Sequence, residues 1–197
     1  ITGENLIFFN VSIGSKYNLS NATLYHNFTD WNANSILEFS NLNETELLFN
    51  STFNEGVYLW NIEACDINNY CNNSGNKTLY IDLNTPIVNV VNTSSFSVNN
   101  PIVLHYNVSD LAVNNCKLYI NNELNLTDDT ISTDIDQSFS LILNNGNYDW
   151  NVSCTDKIDR IGNSEMIRIS VGCATGWGCD DYHDACNSSS YRLCESD

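Results

Sequence analysis

The stretch GNYDWNVSCTD, Gly146 to Asp156, has a forerunner in EGVYLWNIEACD, Glu55 to Asp66. Four residue types fall in register: Gly56 with Gly146, Tyr58 with Tyr148, Trp60 with Trp150 and Asn61 with Asn151. The cysteines do not, because Cys154 lies four residues after Trp150 and Cys65 lies five after Trp60. Tyr148, Trp150 and Val152 share one parity, as do Tyr58, Trp60 and Ile62. Apolar residues at a period of two mark a strand with one buried face. The two stretches therefore read as the same strand in two copies of one unit.

The repeat extends outward from this pair. FFNVS (Phe8 to Ser12) matches HYNVS (His105 to Ser109), and NATLYHN (Asn21 to Asn27) matches NCKLYIN (Asn115 to Asn121). Each unit closes on a short alternation, KTLYIDL or MIRISV, and DLNTPIV lies between them, with Pro86 reading as a junction. The predicted core face of unit one runs through Ile7, Phe9, Val11, Ile13, Leu47, Phe49, Tyr58, Trp60, Ile62, Leu79, Ile81 and Leu83. That of unit two runs through Ile102, Leu104, Tyr106, Val108, Cys116, Leu118, Ile120, Phe139, Leu141, Leu143, Tyr148, Trp150, Val152, Ile167, Ile169 and Val171. Turn signals such as Asn144 to Asn147 separate these runs. Six or seven short strands per unit predict an antiparallel β-sandwich.

Composition agrees with an all-β chain. Apolar residues make up 42%, enough for a packed core, and there is one Met among few helix formers. The net charge is −17 with only seven Lys plus Arg. Such a surface repels nucleic acid and anionic membranes, which removes both as partners. It reads as a solvated acidic face, or else as a surface for cations. No apolar run reaches the length of a membrane span, and no signal peptide is visible. A start at Ile1 reads as a processed product or a piece of something longer.

The eight cysteines contain no C-x-x-C pair, so zinc ribbons and thioredoxin-like sites are poorly supported and disulfides in an oxidising compartment fit better. Asn-x-Ser/Thr sequons at Asn10, Asn18, Asn21, Asn27, Asn43, Asn50, Asn72, Asn76, Asn92, Asn107, Asn125, Asn151 and Asn187 point the same way, to a secreted glycoprotein carrying N-linked glycans. Asn10, Asn107 and Asn151 fall on the outward parity of their strands, the side a glycan needs.

Register assigns the cysteines. Cys154 shares the parity of Trp150, and its counterpart in unit one is Ala64; Cys116 also faces inward, and its counterpart is Ala22. Two inward cysteines replaced together by two alanines are what a bonded pair would show, so a buried Cys116–Cys154 disulfide is predicted, tying two strands across the core. Cys65 lies on the other parity, and Cys71 is its nearest partner, clipping a hairpin loop; a bridge to another chain would satisfy the same residues. Residues 173–197 carry Cys173, Cys179, Cys186 and Cys194 and no strand pattern. Two disulfides would staple this tail, with three connectivities open.

Candidate chemistry is sparse. Asp180, Asp181, His183 and Asp184 in DDYHD offer oxygens and one imidazole to a divalent cation, or form a solvated loop; EF-hand spacing is missing. His26, His105 and His183 do not converge with a Ser or Cys nucleophile, and no phosphate loop or nucleophile elbow is present. Trp60 and Trp150 sit in the repeated core position, which leaves Trp31 and Trp177 open to stacking on sugars. An enzyme is not expected, and neither is a cofactor beyond a cation at the tail.

NATLYHN with its following Trp, GVYLWNIEACDINNYC and YDWNVSCTD resemble tandem immunoglobulin-like repeats of large surface proteins in archaea, especially small-genome lineages. The resemblance covers about residues 6 to 172 and leaves the tail unplaced. It implies an all-β chain: immunoglobulin-like sandwiches at residues 1–84 and 85–172, with a cysteine-rich segment at 173–197. It also implies an extracellular, cell-surface role as spacer, coat component or adhesin. One departure stands out. Unit two has a leading strand, IVNVVN, after Pro86, whereas unit one has only five residues before its matching strand. Its first strand is expected upstream in a longer chain or from a neighbouring copy, which would build a homopolymer by strand donation.

Overall fold

Branched and aromatic residues at alternate positions, broken by Asn- and Gly-rich turns, fold this chain into strands, with no helix among the described residues. The computed structural model describes residues 1–28, 30–91, 97 and 101–172, with the backbone alone of 96, 178–179 and 186–187. No helix long and apolar enough to cross a membrane is present among them. The chain divides into two units, Ile1–Asn84 and Thr85–Asp197.

Unit one contains β1 (Leu6–Gly14), β2 (Leu19–His26), β3 (Asn32–Glu38), β4 (Glu44–Thr52), β5 (Gly56–Asp66), β6 (Cys71–Asn73) and β7 (Lys77–Ile81). β1 and β4 pair as a two-stranded antiparallel sheet. The second sheet runs β3-β2-β5, with β6 and β7 both on the far side of β5. Thr2 adds a parallel bridge to Ile81. Phe9, Leu24, Phe49, Phe53, Ile62 and Ile81 fill the space between the sheets. Trp60 lies over Phe9 with ring centroids 4.6 Å apart.

Unit two contains β8 (Ile87–Val91), β9 (Phe96–Ser97), β10 (Ile102–Ser109), β11 (Val113–Ile120), β12 (Glu123–Asp128), β13 (Asp136–Leu141), β14 (Gly146–Asp156), β15 (Ile161–Asn163) and β16 (Ile167–Val171). One sheet is β13-β10-β8 and the other β12-β11-β14-β16-β9, with β15 also on β14. Tyr106, Val108, Leu118, Trp150, Val152 and Ile169 form the core. Each fully buried aliphatic or aromatic side chain contributes about 1.5–3 kcal/mol, so the alternation of inward residues drives the closing of each sandwich. Beyond them, β17 (Gly178–Cys179) and β18 (Cys186–Asn187) pair antiparallel, with Cys179 opposite Cys186 in the backbone register.

The repeated Gly-x-Tyr has a local cause. Tyr58 donates its hydroxyl hydrogen bond back to the Asn54 carbonyl at 3.1 Å, and Tyr148 does the same to Asn144 at 3.1 Å. This turn-closing tyrosine recurs in immunoglobulin-like sandwiches. It folds the ring over the glycine two residues before, and a Cβ on Gly56, at φ 153°, would lie 3.0 Å from the Tyr58 hydroxyl.

Both disulfides join directly opposed residues: Cys65 with Cys71 on β5 and β6, and Cys116 with Cys154 on β11 and β14. The second corrects the expectation of a bridge across the core. β11 and β14 are neighbours in one sheet, and the Cα atoms are 4.0 Å apart. Parity identified the face on which the sulfurs lie; it carries no information on whether the partner stands in the same sheet or the facing one.

Candidate functional site

The two units differ most beside their first long strand. In unit two, β10 is hydrogen-bonded on both sides, to β13 and to β8. The β8 register runs from His105↔Val91 to Ser109↔Ile87. In unit one the matching strand, β1, pairs only with β4 among the described residues. The FFNVS and HYNVS alignment places Phe8 to Ser12 where His105 to Ser109 meet β8. That edge of β1 presents backbone N–H and C=O groups with no strand beside them among the described residues, and such an edge is a template for pairing.

A groove of about 430 Å³ lies between residues 11–15, at the end of β1, and the β5–β6 hairpin. Its lining includes Val11, Ile13, Ile62, Ala64, Asn72 and Ser74. The consequence shows in burial. Val108 and Cys154 are 0% exposed in unit two, whereas their counterparts Val11 and Ala64 are only half-buried. Val88 of β8, 6% exposed, is among the residues that complete the core of unit two.

The end of the groove also differs. Gly162 of β15 lies so close to the incoming chain that a Cβ there would sit 1.7 Å from the Pro86 carbonyl oxygen. Cys154↔Gly162 and Ala64↔Asn72 are matching pairs, so Asn72 stands in unit one where Gly162 stands in unit two. Its side chain is exposed and belongs to a sequon.

The β5–β6 and β14–β15 hairpins rest on two aspartates that spacing alone does not single out. Asp66 Oδ1 accepts the Asn68 and Tyr70 amides at 2.8 and 3.1 Å. Asp156 Oδ1 accepts the Ile158 and Arg160 amides at 2.8 and 2.9 Å, and its Oδ2 meets Arg160 Nε at 2.7 Å. Burial pushes the Asp156 carboxyl up; the Arg160 and Ile158 amides and the guanidinium outweigh this and hold it below the usual carboxylate range. Asn69 and Asp159 take positive φ at the turns, 62° and 67°. The available signal was the Asp that ends ACD and SCTD in the two copies, three residues before an Asn or Asp.

Among the described residues, the histidines bring together no catalytic group. His26 is buried, which pushes its pKa down. Its Nδ1 accepts the Phe28 amide at 3.3 Å, so the ring proton sits on Nε2, 3.2 Å from Ser51 Oγ. A ring that donates to a hydroxyl cannot take its proton as a general base. Tyr106 donates to Asp128 at 3.0 Å, and burial first, then the carboxylate, raises the phenol. His105 lies half-buried on β10.

Among the described sequons, Asn10, Asn43, Asn50, Asn72, Asn76 and Asn125 are exposed, and Asn18, Asn21, Asn27, Asn107 and Asn151 are half-buried. Asn27 Oδ1 also accepts the Leu59 amide at 2.7 Å. Trp31 is 44% exposed and stacks on Tyr25 at 6.2 Å. Asn92, Cys173, Trp177, Asp180, Asp181, His183, Asp184 and Cys194 lie outside the described residues, as do the side chains of Cys179, Cys186 and Asn187.

Sheets of the order found here define immunoglobulin-like sandwich modules. No protein-family model matches the chain, and no curated protein does. Among solved structures it is similar to the fibronectin(III)-like modules of Clostridium thermocellum CbhA, at 16% identity and a TM-score of 0.38 over 92% of both chains. It is also similar to the BSP domain of a biofilm-associated protein (13% identity, TM-score 0.34, 84% of this chain and 28% of that one). A third is a Bacteroides ovatus SGBP-B in complex with a mixed-linkage heptasaccharide (15% identity, TM-score 0.28, 84% and 41%).

Proposed function

We propose that the chain is a non-enzymatic, extracellular structural protein: a glycosylated building block of a cell-surface layer or appendage, joined to its neighbours through its immunoglobulin-like units. The observation that carries this reading is the tandem of two immunoglobulin-like units, each with its own core and its own disulfide. Two disulfides support an oxidising compartment, and a dense set of sequons with none buried among the described residues supports glycan attachment. The role needs no cofactor. Electron microscopy of the purified protein tests it: regular polymers are expected, and isolated particles at every concentration would refute it.

A second reading is an adhesin or receptor module that binds a partner surface or glycan. The exposed Tyr25–Trp31 stack favours it, since flat aromatic faces bind sugar rings. Glycan-array binding lost in Trp31→Ala would select this reading.

A further inference from the structure

We infer that Asn27 and Asn76 of unit one carry N-linked glycans that lie back over one apolar patch, Val57, Leu59 and Tyr80, on the outer face of β5 and β7. This deepens the glycosylated, extracellular part of the proposed function and rests on it for the supply of glycan. The patch is contiguous: Val57 stands directly opposite Tyr80, and Leu59 opposite Thr78. Side chains so placed are neighbours on one face of a sheet. Val57, Leu59 and Tyr80 are 47%, 40% and 43% exposed. Single apolar residues on a surface are ordinary, but these adjoin one another and have no apolar match in the other unit.

In unit two, Asn147 and Asp149 match Val57 and Leu59, and the register puts Arg168 and Ser170 at the places of Thr78 and Tyr80. That ladder is polar throughout. Ser170 Oγ donates to Asn147 Oδ1 at 2.6 Å, and Arg168 holds Asp149 through Nε and Nη2 at 2.8 and 2.9 Å. The sequons change with the ladder. Asn27 opens NFT, whereas its match Asn121 opens NNE, and Asn76 opens NKT, whereas its match is Met166. The asparagine after β2 has a structural role in both units, since Asn121 Oδ1 accepts the Asp149 amide at 2.9 Å as Asn27 Oδ1 accepts that of Leu59. Only the sequon is particular to unit one. Unit two keeps one sequon on this face, Asn151, at the place of Asn61.

The two side chains are set for attachment. Asn76 is exposed and Asn27 half-buried. Asn27 Oδ1 accepts the Leu59 amide at 2.7 Å, and Asn76 Oδ1 accepts a hydrogen bond from Asn61 Nδ2 at 2.7 Å. A backbone N–H only donates, so oxygen is the Asn27 atom at Leu59 and Nδ2 is left for the sugar. Transfer takes an oligosaccharide activated as a lipid-linked phosphate. A bond forms from Nδ2 to the anomeric carbon, the bond from that carbon to the phosphate oxygen breaks, and the phosphate leaves with the electron pair. One amide proton passes to a base of the transferring enzyme. The amide oxygen is untouched, so both hydrogen bonds survive and fix the root of each glycan. One root lies beside Leu59, and the other precedes β7 on the parity of Thr78 and Tyr80. The C–H faces of the first sugars then cover the Tyr80 ring and the two aliphatic side chains, with their hydroxyls toward water.

The test uses the full chain as its own cells secrete it, beside the double variant Thr29→Ala/Thr78→Asn from the same cells. The variant removes both sequons and keeps both asparagines. Glycopeptide mass spectrometry reads occupancy, and hydroxyl-radical footprinting reads the side chains. Both sites are expected to be occupied. Leu59 and Tyr80 should label several-fold more in the variant, with the exposed Ile142 of unit two unchanged. The parent chain made in a host that attaches no glycan should label like the variant. Should the sugar-free chains fail to fold, Val57→Asn, Leu59→Asp, Thr78→Arg and Tyr80→Ser together give unit one the polar ladder of unit two, and that chain should fold without sugar. A ladder variant that folds no better than the sugar-free parent would overturn the inference. So would occupied sites with equal labelling, because the glycans would then point into solvent. Glycans at other sequons, such as Asn10 or Asn43, with Asn27 and Asn76 bare would overturn it and spare the glycosylated reading. A secreted chain with no glycan at any sequon would overturn both.

Discussion

Replacing Gly162 with Ala tests how closely β8 is held. The new Cβ would lie 1.7 Å from the Pro86 carbonyl oxygen and 2.7 Å from its carbon, both backbone atoms that cannot rotate aside. Either the β15 hairpin distorts or β8 lifts from β10. Overpacking of this kind costs about 1–3 kcal/mol. Lifting β8 exposes Val88, now 6% exposed, at roughly 1.5–3 kcal/mol. The protein relaxes along a mixture of the two, so a loss of about 2–4 kcal/mol is expected, a large share of a domain's usual 5–15. Guanidinium unfolding would read the loss, and amide exchange would localise it to Ile87–Val91. Asn72→Ala at the matching place in unit one should stay within about 0.5 kcal/mol, because no strand lies over it. If Gly162→Ala unfolds at the parent's midpoint with β8 protection intact, the close approach of Pro86 has no energetic role and the reasoning fails.

The disulfides should differ in worth. Cys116–Cys154 closes a separation of 38 residues and Cys65–Cys71 one of 6, so chain-entropy losses of about 4 and 2 kcal/mol are expected for the paired Ala variants, measured by denaturant unfolding. Tyr58→Phe and Tyr148→Phe should each cost about 0.5–1.5 kcal/mol in the same assay, through the lost bonds to Asn54 and Asn144. Asp156 is held below the ordinary carboxylate pKa in the fold. Its contribution is therefore complete above that pH and lost as pH falls through the lower folded value. Asp156→Asn should flatten the acid limb of stability against pH, and an unchanged limb would refute the assignment.

Much of the core was legible because an inward strand position is either apolar or costly. Tyr106, Val108, Leu118, Trp150 and Val152 all lie where the period-two pattern placed them. Edge strands were harder. β3 and β12 bury little, and exposed Ile36 and Leu124 break any clean alternation. Neighbour relations were not legible at all: parity put Cys116 and Cys154 on the core face and left open which strand each adjoins. The close approach of Gly162 to Pro86 was not legible, because it appears only once β15 is seen to lie beside the chain entering β8. The buried aspartates Asp66 and Asp156 were passed over because a charged residue at a strand end resembles any solvated turn.

The most direct test of the proposed assembly is amide exchange over the whole chain, compared between dilute protein and its assembled form. A face that joins neighbouring molecules should exchange freely in the first and be protected in the second. Assemblies with no newly protected segment would contradict the account.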